Sequence, residues 1–166
     1  MNILLEFFVD GLFAAIAGIG FGAISNPPRR AFLYIAILAA GGHMLRHLLM
    51  NYFAMDIAFS SLFAGMLIGL LSMPLAYRAA TPSTVIYIPA LLPMIPGKFA
   101  YNTLFSIMMF LRTSHDPQLA DLYLTKFMSN GLITFSVIFF LTIGSTLPVF
   151  ILPKQAYQMT RKNKVL

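Results

Sequence analysis

Five stretches of roughly twenty residues or more carry almost no charge, and each is long enough to cross a bilayer as a helix. A run of that kind constrains a chain more than any motif. In hydrocarbon the backbone N–H and C=O groups have only each other as partners, so a helix is the form open to a single apolar segment. The spans read at about 5–24, 31–53, 57–77, 84–111 and 127–147. Composition agrees: 59% of the residues are hydrophobic and 10% are charged, against about 25% charged in a soluble domain. The chain is therefore expected to be an all-α integral membrane protein. Its single transmembrane domain would cover residues 1–153, with a basic cytoplasmic tail over 154–166. Glu6 and Asp10 stand where a cleavable signal would carry Lys or Arg, so the first span is expected to be retained.

The absence of cysteine excludes disulfides, thiolate metal sites and a cysteine nucleophile. On a soluble protein a net charge of +6 would suggest nucleic acid. Here the basic residues lie mostly between and after the spans, where they set topology. Arg29, Arg30, Arg78, Lys154, Arg161, Lys162 and Lys164 fall on one side with no acid. Arg112 and Lys126 fall on the other, with Glu6, Asp10, Asp56, Asp116 and Asp121. The positive-inside rule then predicts an N-out, C-in, multi-pass protein of a bacterial cytoplasmic (inner) membrane. The expected partner of the surface is the lipid bilayer, and no nucleic acid is expected.

The fourth span contains Pro89, Pro93, Pro96 and Gly97. Each proline lacks an N–H and clashes with the preceding turn. Pro96 also disfavours helix at Ile95. The expected result is a helix that ends near Leu92 and restarts near Pro96, broken at its Pro-Gly motif. A restarted helix presents unpaired N–H groups and a partial positive charge, which suit a carboxylate. Lys98 sits in that first turn, unfavourably for the dipole unless an anion is bound. The alternative is a kinked packing helix whose Lys98 snorkels or pairs with an acid.

On the second span His43, Arg46, His47 and Met50 share one helical face. An arginine at mid-membrane costs at least ~2.5–3.5 kcal/mol on insertion scales, so it should face protein, water or an acid. Arg46 and the histidines could bind an anion or relay protons, or Arg46 could form a structural pair. His43 and His47 have i, i+4 metal spacing, but a neighbouring arginine repels a cation and no further ligands cluster there. No metal or other cofactor is expected. Asp10 lies about five residues inside the first span, roughly 8 Å deep at 1.5 Å per residue, and shares a face with Glu6. Either could pair with Arg46 or Lys98, carry a coupling proton, or sit wet at the outer interface. Glu6, Asp10 and His43 are thus the proton-coupling candidates. Ser60, Ser61 and Ser129 read as helix-packing hydroxyls, and Gly18, Gly22, Gly65 and Gly69 as close-packing positions. No nucleophile elbow, zinc-protease helix or phosphate loop is present, so no enzyme is expected.

Several motifs occur in order: Asn26-x-Pro28-x-Arg30, Gly42-His43-x-x-Arg46, Pro93-x-x-Pro96-Gly97-x-x-Ala100-Tyr101 and Leu124-Thr125-x-Phe127. With these the chain resembles the threonine/serine exporter family over nearly its whole length, specifically the small, C-terminal-half subunit. It is similar to the small subunit of a split bacterial succinate exporter. The resemblance implies a secondary exporter of small carboxylates or hydroxy amino acids, and a larger partner subunit carrying the complementary repeat. It extends to His43, Arg46, Pro93, Pro96, Gly97 and Tyr101 as motif positions. With His47 and Lys98, which are additions to the pattern, the candidate substrate-binding set is His43, Arg46, His47, Pro96, Gly97, Lys98 and Tyr101. An odd number of spans also favours half of an inverted repeat, an arrangement that binds substrate near the midplane. A higher-order oligomer is compatible with this. The competing expectation is a non-transporting structural or regulatory subunit whose partner holds the site.

Overall fold

The computed structural model describes residues 3–152, and the basic tail expected at 154–166 lies outside them. The described residues form six α-helices with no strand: α1 Ile3–Ile24, α2 Ala31–Tyr52, α3 Ile57–Ala79, α4 Ser83–Leu91, α5 Gly97–Arg112 and α6 Pro117–Ile151. A 3₁₀ turn, Leu92–Met94, follows α4. By length and composition α1, α2, α3 and α6 can each cross a membrane, and α4 with α5 make a fifth span if the interrupted pair is counted as one.

The connections follow from local chemistry. Asn26 closes α1 in the left-handed region (φ 46°), which asparagine tolerates better than most residues. Pro27 and Pro28 then bar further helix. Asp56 caps α3: its carboxylate accepts from the Ala58 N–H at 2.9 Å. At the other end Ala80 is left-handed (φ 52°), with Ala80 N–H donating to Tyr77 C=O and Thr81 N–H to Ala76 C=O. This is a Schellman cap built on alanine, where glycine is usual.

The proline-rich segment shows what each missing donor does. Without their N–H groups, Pro89, Pro93 and Pro96 leave the carbonyls of Val85, Pro89 and Leu92 with no i+4 donor. The chain tightens into the 3₁₀ turn. Pro96 (φ −79°, ψ 70°) then centres an inverse γ-turn, with Gly97 N–H donating to Ile95 C=O at 2.8 Å. The first bond of α5 runs from Ala100 N–H to Pro96 C=O at 3.0 Å.

The span expected at 127–147 lies inside a longer helix. Asp116 accepts from Gln118 N–H at 3.0 Å, and Pro117 fills the first helical position, so α6 starts at Pro117. Its 35 residues extend about 52 Å at 1.5 Å per residue, beyond the ~30 Å of a hydrocarbon core.

The described residues divide into two compact units. One holds α1 to α4, the 3₁₀ turn and the end of α6 from Phe140; the other runs from Ile95 to Phe139. In the first, α2 is central and packs against α1, α3 and α4, burying Ile35, Leu38, Ile68, Ile86 and Met94. Backbone contact between α3 and α6 is closer than any side chain allows. A Cβ on Gly69 would strike the Ser145 carbonyl, and one on Gly144 the Leu62 carbonyl. Dispersion between such closely apposed backbones replaces the hydrophobic drive that lipid removes. On the outer face of α1, Phe8, Leu12, Phe13 and Ile16 are exposed, as side chains that meet lipid should be. In the second unit α5 and the start of α6 touch where Gly131 faces Thr103, and Leu104, Met108, Leu132 and Phe135 are exposed.

Candidate functional site

Polar side chains from α1 and α2 meet inside the first unit. Spacings of three and four residues put His43, Arg46 and His47 on one face of α2, and Glu6 and Asp10 on one face of α1. Two glycines let these faces close. A Cβ on Gly11 would lie 2.7 Å from Met44 Sδ, so α1 and α2 approach closely beside Asp10. A Cβ on Gly42 would strike Ile68 and lie 3.6 Å from Met94 Sδ. The Gly42-His43-x-x-Arg46 motif thus has a packing reason for its glycine: it seats α2 against α3 and the 3₁₀ turn.

A chain of hydrogen bonds runs through this seat. His43 Nδ1 lies 2.7 Å from Asp10 Oδ2. Arg46 Nη2 lies 3.1 Å from His43 Nε2. Arg46 Nη1 donates to the Met94 carbonyl at 2.7 Å. In an uninterrupted helix that carbonyl would accept from the Lys98 N–H, but Lys98 belongs to the first turn of α5. A side-chain donor from α2 takes the place of the lost backbone donor, meeting the requirement that irregular backbone at membrane depth be satisfied by protein or water. Arginine has no acceptor, so His43 Nε2 must accept, and the ring proton lies on Nδ1 toward Asp10. The imidazole therefore bridges a carboxylate and a guanidinium that do not touch directly. His47 Nδ1 stands 3.6 Å from the same Asp10 oxygen, outside hydrogen-bond distance.

Asp10 and His47, with Leu5, Glu6, Val9 and Phe13, line an open groove of about 420 Å³. His43 connects to this groove through its bond to Asp10, and Arg46 through His43. Of the sequence candidates, Asp10, His43, Arg46 and His47 are thus gathered in one cluster, and Glu6 lines the adjoining groove. Pro96, Gly97, Lys98 and Tyr101 lie in the second unit. There Pro96 is buried, Gly97 and Lys98 are exposed, and Tyr101 is exposed and stacks on Phe105 at 6.2 Å. Lys98 has no ion pair among the described residues.

Two features escape inspection of side-chain types. The partner of Arg46 on its far side is a backbone carbonyl, and only the loss of donors at three prolines hints that carbonyls near Met94 need one. The second is the pairing of Asp10 with His43 in place of Arg46 or Lys98. Ser61 donates to the Ile57 carbonyl at 2.6 Å, as a packing hydroxyl would, whereas the buried Ser60 and Thr81 hydroxyls have no partner among the described residues.

Comparison with known proteins places the sequence in a family. A family model described as "Threonine/Serine exporter, ThrE" matches residues 10–151, which takes in the whole cluster from Asp10 to Met94 and all of α5 and α6. A protein of Haemophilus influenzae (strain ATCC 51907 / DSM 11121 / KW20 / Rd), described only as an uncharacterized protein, is 33% identical over 144 residues. The match covers 87% of this chain and 48% of that protein, so the chain spans about half the length of its relative. No solved structure matches. The chain belongs to the threonine/serine exporter family.

Proposed function

We propose that this chain is a membrane subunit of a secondary exporter of small carboxylates or hydroxy amino acids, threonine/serine or succinate-like, in a bacterial inner membrane. Membership in an exporter family supports transport in place of catalysis. The observation that carries the site is Arg46. A half-buried guanidinium on an otherwise apolar helix, bonded to His43 and to the Met94 carbonyl, is a charge whose present partners are both neutral. A substrate carboxylate is the stronger partner, since Arg–carboxylate bonds are charge-assisted and frequently bidentate. Intramembrane charges of this kind mark substrate and proton pathways. Lys98, in the first turn of α5, is proposed as a second counter-charge, with Pro96, Gly97 and Tyr101 shaping the substrate path beside it.

The relative is about twice the length of the matched region, which supports a larger partner subunit carrying the complementary repeat. The proposed orientation is N-out, C-in. A second reading has one observation in its favour: Arg46 already satisfies the broken backbone, so it could serve structure alone while the partner holds the site.

Export of succinate and of threonine from loaded vesicles containing both subunits tests this. Arg46→Ala and Lys98→Ala are each expected to lower the rate about tenfold or more, the equivalent of ~1.4 kcal/mol or more of lost binding. Unchanged rates in both variants sink the site assignment.

A further inference from the structure

His43 Nε2 has one lone pair in the ring plane. It accepts from Arg46 at 3.1 Å, while Nδ1 faces Asp10 at 2.7 Å. A guanidinium N–H and a proton cannot both occupy that lone pair. We propose that Arg46 and a proton compete for His43 Nε2, so that a carboxylate drawing Arg46 away opens His43 as a proton relay to Asp10. This rests on the anion-site reading of Arg46.

The proton balance is simple. With Arg46 turned to a carboxylate, a proton from water adds to Nε2 and the ring becomes imidazolium. The Nδ1 proton then passes to Asp10 Oδ2, leaving a neutral ring with its proton on Nε2 and a carboxylic acid at Asp10. Asp10 lines the open groove, where the acid exchanges its proton with water. One proton enters at Nε2 and one leaves at Nδ1; Arg46 regains Nε2 only after the ring gives up its Nε2 proton and takes one back at Nδ1. While Arg46 sits on Nε2 the relay is closed, so protons do not leak without substrate.

The surroundings leave these groups in charge of the ring. From α1 the acting group is Asp10, and from α2 they are Arg46 and His47. Glu6 shares the groove with Asp10 and His47. The 3₁₀ turn contributes the Met94 carbonyl, which holds the second arm of Arg46 at 2.7 Å. The charges of α3 are the Asp56 cap and Arg78 in its last turn, and α4 carries none.

Nitrogen-15 NMR of the histidine rings, with the full chain and its proposed larger partner subunit in lipid vesicles and the histidine label confined to this chain, reads the tautomer directly. The wild type is expected to show His43 neutral, protonated on Nδ1, with Nε2 accepting. Arg46→Met and Arg46→Gln remove the same charge, but only Gln can donate to Nε2. At equal pH the Met variant is expected to hold about tenfold more imidazolium relative to neutral ring than the Gln variant, the equivalent of one pH unit. Equal titration in the two variants overturns the competition. Saturating succinate or threonine on the wild type is then expected to move His43 toward imidazolium. A difference between Met and Gln with no response to either solute keeps the competition and overturns the carboxylate site.

Discussion

Removal of the Asp10 carboxylate should be felt at His43 and barely at His47, although both histidines face the same oxygen. The bond to His43 is 2.7 Å long and the approach of His47 is 3.6 Å. A hydrogen bond to a charged group is worth about 1.5–3 kcal/mol. Asp10 and His43 side chains remain 32% and 19% exposed, so competing water or headgroups lower this to about 1–2 kcal/mol. At 3.6 Å the second contact is an electrostatic approach without a hydrogen bond, expected at under about 0.5 kcal/mol. Double-mutant cycles separate the two, with Asp10→Ala combined with His43→Ala or with His47→Ala. Reversible unfolding in mixed micelles supplies the free energies. The expected coupling is about 1–2 kcal/mol for the first pair and under about 0.5 kcal/mol for the second. Equal couplings, or a larger one to His47, would refute the assignment of Asp10 to His43. Asp10→Asn keeps an acceptor for Nδ1 and should lose less than Asp10→Ala.

Further outcomes follow from single glycines and caps. Gly144→Ala forces a Cβ against the Leu62 carbonyl and should destabilise by about 1–3 kcal/mol in the same unfolding assay. Gly97→Ala meets nothing within 4 Å and no positive φ, so stability should stay within about 0.5 kcal/mol of wild type. A loss of export in that variant at unchanged stability would assign the glycine to substrate passage. Ala80→Gly should stabilise by about 1 kcal/mol, because the left-handed cap strains alanine and not glycine.

Much of this molecule could be read from residue order, for physical reasons that also mark the limits. Long, nearly charge-free stretches locate α1, α2 and α3, since a single apolar segment crosses hydrocarbon as a helix. Proline arithmetic locates the interruption before α5, because each ring deletes a particular donor. Helical periodicity puts His43, Arg46 and His47 together. The start of α6 was less visible: residues 117–126 are polar enough to look like a connection, and the signal lay in the Asp116-Pro117 pair, a cap followed by a residue suited to the first turn. Which acid meets which base depends on how α1 is rotated against α2, and that is set by the close approach at Gly11. The bond from Arg46 to Met94 was hidden more deeply. Its acceptor is backbone, and backbone has no letter in the sequence.

Transport as proposed requires that a substrate carboxylate engage Arg46 on α2. The most direct measurement is photo-crosslinking with a carboxylate-bearing analogue of succinate or threonine, on vesicles containing this chain and the proposed larger subunit, followed by peptide mapping. Label is expected on the α2 segment around His43 to His47, reduced by excess unlabelled solute and lost in Arg46→Ala. Label confined to the proposed larger subunit, unchanged in Arg46→Ala, would contradict that engagement.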